Sequence, residues 1–80
     1  MMEFTTQRNE KIFSIEDDLG HARLDFNIEN YSKFLISLNP AHQAVLIQGV
    51  SALTREKNAE VAVRKFLSSA KEVGLELKTL

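Results

Sequence analysis

The sequence predicts a small α+β fold: a small antiparallel N-terminal sheet of two or three strands, about three helices, and a C-terminal strand. Three observations carry this. His21 to Ile28 alternates strictly between polar and apolar side chains. Arg55 to Val73 repeats its apolar residues at helical spacing. Leu75 to Leu80 alternates again at the end of the sequence. A period of two marks a half-buried strand and a period near 3.6 an amphipathic helix. The 80 residues read as one domain, 1–80.

Each element has its own justification. In His21–Ile28, Ala22, Leu24, Phe26 and Ile28 fall on one face, and His21, Arg23, Asp25 and Asn27 on the other. Ile12–Glu16 is a second strand, with Phe13 and Ile15 inward. Asp17-Asp18-Leu19-Gly20 connects the two as a hairpin, because Asp favours turns and Gly supplies positive φ. Phe4–Arg8 is the optional third strand. Glu29–Leu38 is a short helix, with Tyr31, Phe34, Leu35 and Leu38 on one face. Asn39-Pro40 ends it and opens the next helix, with Asn39 as N-cap and Pro40 at the first helical position.

Pro40 to about Leu53 admits two readings. A helix lines up His42, Val45, Leu46, Gly49, Val50 and Leu53. A strand suits the short β-branched run within residues 43–50. The Asn-Pro start and the length favour the helix. Gly49 counts against it by about 1 kcal/mol, unless a neighbour needs the space. Arg55–Val73 is then a long helix, with Ala59, Ala62, Val63, Phe66, Leu67, Ala70 and Val73 inward. Gly74 and Leu75 form a Schellman-type end. The expected architecture is one small sheet covered on one face by helices.

Composition narrows the function classes. No cysteine is present, so a disulfide framework and a thiolate metal site are excluded. His21 and His42 stand far apart, without ligand spacing, so no metal is expected. Gly20, Gly49 and Gly74 are isolated and make no phosphate cradle, so no cofactor is expected. No serine sits in a nucleophile elbow, and a chain this short leaves little room for a pocket. The reading is non-enzymatic. The longest apolar run, Ala44–Ile47, is far short of the roughly 20 residues that cross a membrane. The N-terminal residues lack a signal-peptide pattern. A cytoplasmic location is expected, without membrane association.

Gln48-Gly49-Val50-Ser51 resembles the turn of a helix-turn-helix motif, followed by Arg55, Lys57, Arg64 and Lys65. The motif requires apolar residues where Arg55 and Asn58 stand. Glu56 and Glu60 also break the basic cluster, and the formal charge is -1. Nucleic-acid binding is therefore not expected. Seven acids and four bases fall in residues 1–38, and four acids and six bases in residues 39–80. That mild dipole steers a partner without identifying one.

Asp25-Phe26-Asn27-Ile28-Glu29-Asn30-Tyr31-Ser32-Lys33-Phe34-Leu35 runs from a strand into a helix. An Asn39-Pro40 break, two helices and Leu75-Glu76-Leu77-Lys78 follow. This arrangement resembles the small tail assembly chaperones of tailed bacteriophages, on Tyr31, Lys33, Phe34, Leu35 and Pro40. The resemblance implies a non-enzymatic protein that binds the long helical tape measure protein and keeps it soluble, in the host cytoplasm. Such a task needs exposed apolar helix surface. Tyr31 carries part of the resemblance. Ala44, Ile47 and Val61 lie off the main helical stripes and are candidate partner-binding residues, unless they fill a second core face. Leu75 and Leu77 are candidates through the terminal strand, whose free edge invites pairing into a homodimer or higher oligomer. A small regulator or inhibitor, docking on a larger protein through its sheet edge or its acidic hairpin, is the alternative.

Overall fold

A computed structural model describes residues 2–18 and 21–80. Among these, the chain forms strands β1 (Met2–Thr5), β2 (Lys11–Asp18) and β3 (His21–Phe26), helices α1 (Ile28–Ser37), α2 (Pro40–Arg55) and α3 (Ala59–Val73), and strand β4 (Lys78–Thr79). The strands make one antiparallel sheet in the order β3-β2-β1-β4. The three helices thus carry the chain from one edge of the sheet to the other. The small α+β fold expected from the sequence is present.

Cross-strand pairing sorts the side chains. Directly opposed residues share a face. Phe4, Phe13 and Phe26 form one row, and Met2, Ile15 and Leu24 the next. Both rows face the helices. Glu3, Ser14 and Asp25 form a row on the open face, where Ser14, in the central strand, is buried and Glu16 meets Arg23 at 3.7 Å. The register slips between Phe4 and Thr5, so Ile12 has no direct partner on β1. That bulge interrupts the alternation, and Ile12 and Phe13 are both fully buried although adjacent.

The core centres on aromatic rings. Phe4 stacks on Phe13, with centroids 4.6 Å apart. Phe66 of α3 lies 5.6 Å from Phe4 and 6.3 Å from Phe13. Leu46 and Leu53 of α2 complete the floor. Gly49 lies directly against the Phe66 ring, and a Cβ built there would penetrate it. The 43–50 stretch is therefore helix, and its glycine is the contact at which α2 closes on α3. The helix-turn-helix lookalike at Gln48–Ser51 lies inside α2 and is no turn.

Each helix is opened by asparagine. The Asn27, Asn39 and Asn58 side chains accept from the backbone N–H of Asn30, His42 and Val61, at 3.0, 2.9 and 3.3 Å. A cap of this type contributes about 1 kcal/mol. Gly74 closes α3 at φ 76°, donating to the Lys71 carbonyl, while Leu75 donates to that of Ala70. This is the expected Schellman motif.

Several boundaries differ from the sequence reading. The expected helix over 55–73 begins at Ala59, because Asn58 caps a new helix after α2 runs on to Arg55. β3 ends at Phe26, since Asn27 caps α1, and Ile28 starts the helix instead of joining the buried face. The third strand is Met2–Thr5, not Phe4–Arg8. Thr6–Asn9 forms a turn, with Asn9 at φ 64°. The terminal strand shrinks to Lys78–Thr79, because the Schellman end draws Leu75 into the core. Of the expected hairpin connection, Asp17 and Asp18 instead continue β2, paired with Ala22 and His21, and Leu19 and Gly20 lie outside the described residues.

Gly49→Ala tests the α2–α3 contact. Alanine gains up to about 1 kcal/mol of helix propensity. The new methyl group would displace a ring already held by Phe4 and Phe13. Overpacking should win, and urea unfolding should show a net loss of about 1–3 kcal/mol.

Candidate protein-interaction surface

Three long aliphatic side chains stand out on α1 and α2. Ile28 is 67% exposed, Ile36 79% and Ile47 50%. At 100° per residue, Ile28, Ser32 and Ile36 form a line along α1. Ile36 lies about 150° from the mean of Tyr31, Phe34, Leu35 and Leu38, which turn inward. Asn27 sets the entry of this helix, and the Asn30 amide anchors it by donating to the Lys11 carbonyl at 2.9 Å.

Gln43 ties α2 to α1. Its amide donates to the carbonyl of Leu35, the residue before Ile36, at 2.9 Å. Ile47 follows Gln43 by one helical turn, on the same flank. Ile47 is also two positions from both Val45 and Gly49, which line the α2–α3 groove. It therefore points away from α3. Ala44, exposed, continues the surface beside Ile47. The only charges noted along this part of α1 are Glu29 and Lys33, paired at 3.1 Å. Such an exposed pair is worth at most about 0.5 kcal/mol.

The remaining candidate residues are dispersed. Tyr31 is half-buried, edge-on to Phe26 at 5.3 Å and 74°. Burial pushes its phenol above the ordinary tyrosine range. Val61 is half-buried in the first turn of α3 and lies outside the Ala44–Ile47 surface. Leu75 is buried, so it is a core residue and not a surface for a partner. Leu77 is half-buried against the core. The expected grouping of Leu75 and Leu77 on a terminal strand fails for this reason. Ile36 was not singled out by the sequence reading. Its signal was its place outside the Tyr31–Leu38 stripe.

Clefts lie on other sides of these helices. One, of about 480 Å³, lies between the Thr6–Glu10 turn and α1, with Phe34 as its apolar wall. The other, of about 340 Å³, runs between α2 and α3 over Gly49 and Phe66. Among the described residues, no group of three or more His, Cys, Asp or Glu side chains is placed to hold a metal ion, and no helix is long and apolar enough to cross a membrane.

The chain matches no family model, no curated protein and no solved structure.

Tyr31 is the single tyrosine, and no tryptophan is present, so its ionisation is directly visible in the ultraviolet. Its titration midpoint should lie above that of the unfolded chain. The unfolded state then loses its proton first as pH rises. The stability associated with this group is full at neutral pH and is lost as pH climbs through the tyrosine range. Alkaline absorbance titration of folded and urea-unfolded protein checks the order. Coincident midpoints would refute it.

Proposed function

We propose that this chain is a non-enzymatic protein-interaction module that holds an apolar helix, as a tail assembly chaperone holds a tape measure protein. The observation that carries the reading is the exposure of Ile28, Ile36 and Ile47 on helices whose inward stripes are already filled. The likeness of Tyr31, Lys33, Phe34, Leu35 and Pro40 to those chaperones gives the reading its concrete form. Burying an isoleucine contributes about 1.5–3 kcal/mol. Two or three of them supply about 3–9 kcal/mol, which only matches the lower part of the roughly 4–15 kcal/mol cost of association, so the hold is weak. That suits a holder that must later release its client.

The test is co-expression with a long, helical tape-measure-type protein. The double variant Ile36→Ser, Ile47→Ser should keep its unfolding free energy within about 0.5 kcal/mol, as surface changes do. It should retain the client at least about tenfold less well. Equal retention by both proteins would refute the reading.

The same side chains support self-association into a homodimer or higher oligomer. Sedimentation at tens of micromolar should show a species heavier than monomer, and Ile47→Ser should shift it toward monomer. A lone monomer peak for the unaltered protein would end that part of the proposal. The alternative, a small regulator docking on a larger protein through its sheet edge, draws on the outer side of β4.

A further inference from the structure

We propose that the free side of β4 accepts an extended peptide segment of alternating acidic and apolar residues, as a fifth strand beside α3. This goes beyond the helix-holding reading and stands without it.

The hydrogen-bond pattern supplies the first argument. Glu3 and Leu80 exchange both backbone hydrogen bonds, at 2.9 and 2.8 Å. In an antiparallel ladder such pairs alternate with pairs that turn their backbone groups outward. Thr79, opposite Phe4, is therefore an outward residue. Its N–H and C=O point away from β1. Two residues back, Leu77 has the same phase. A donor and an acceptor are thus presented at strand spacing to whatever lies alongside, as strand addition requires.

Side-chain placement supplies the second. Lys78 opposes Thr5 and Leu80 opposes Glu3, so both belong to the open face. Thr79 and Leu77 belong to the helix side. There, a cleft of about 380 Å³ separates α3 from the chain entering β4, with Leu67, Ala70, Leu75 and Leu77 in its walls. A strand laid on Thr79 would send alternate side chains into this cleft and the others toward Lys78.

Charge selects the occupant. Among the described residues, neither Lys78 nor Lys71 at the cleft has a carboxylate at ion-pair distance. The Lys78 ammonium donates to the Asn9 amide oxygen at 3.2 Å. Lys71 and Glu76 offset each other in the cleft walls, and Lys78, on the open face beside it, is the unmatched charge of this edge. A second copy of β4 fits poorly, since it brings its own Lys78 to this edge. An acidic side chain opposite Lys78, with apolar neighbours facing the cleft, meets both demands.

The experiment titrates the full chain, labelled with nitrogen-15, with a synthetic heptapeptide alternating glutamate and valine, up to about 1 mM. Amide signals of Leu77 and Thr79 should move most. Thr79→Pro removes the outward N–H and leaves both Glu3–Leu80 hydrogen bonds possible. It should weaken binding at least about tenfold, as should exchanging glutamate for lysine in the peptide. Lys71→Glu, away from the sheet, should weaken binding in the same direction. The double variant Ile36→Ser, Ile47→Ser should bind the peptide unchanged, which separates this site from the helix-holding surface. No binding, equal binding of the two peptides, or full affinity in Thr79→Pro would overturn the proposal. An oligomer that Thr79→Pro, and not Ile47→Ser, converts to monomer would show this edge closed by a second copy and would also overturn it.

Discussion

The contact between Gly49 and the Phe66 ring governs the helical layer. Phe66 is held from below by Phe4 and Phe13, so it cannot retreat. α2 closes over it only because residue 49 lacks a Cβ. The depth of that approach fixes where Leu46 and Leu53 reach the core. It also fixes where Gln43 meets α1. The cost of a mid-helix glycine, about 1 kcal/mol, is offset by the burial it permits.

Position and function are linked through this contact. With α2 seated, Gln43 reaches the Leu35 carbonyl, and α1 is locked at the corner after Leu38. The isoleucines left outside are then presented on a braced surface. At the same end of α2, the His42 ring meets the Val73 carbonyl at 2.6 Å and ties the start of α2 to the end of α3. The small core fills with aromatic rings, with Ile12, Leu46 and Leu53 and with short residues, and Ile28, Ile36 and Ile47 stay outside it.

Much of this was legible in the sequence. The alternation of Leu24 and Phe26, the Asn39-Pro40 corner and the Gly74–Leu75 end each carry a local physical signal, and each appears in the fold. What escaped reading depended on competition between signals. Ile28 continued the strand pattern, but the Asn27 side chain captured the Asn30 N–H and turned the chain into a helix. Asn58 did the same within an uninterrupted apolar repeat. Leu75 alternated with Leu77, yet the helix end claimed it first. The bulge that buries Ile12 beside Phe13 exists only in the pairing of two strands, so neither strand alone announces it. The exposure of Ile36 was readable from helical geometry. That of Ile47 was read in the same way, from its place off the main stripe of its helix.

The pairing of β1 with β4 joins residues from opposite ends of the sequence: Phe4 meets Thr79. With Phe66 already set against Phe4, about a dozen residues remain to be closed, on the order of 2 kcal/mol in chain entropy, and a two-residue strand and its flanking bonds offset it locally. β4 is thus the strand most easily parted from the sheet. When it lifts, the edge of β1 is uncovered, with Phe4 beside it. β4 then serves as a guard strand, with Lys78 as the charged residue that discourages a wrong neighbour. Its two residues carry few of the bonds of the sheet, while its position covers the edge of β1 beside the buried Phe4.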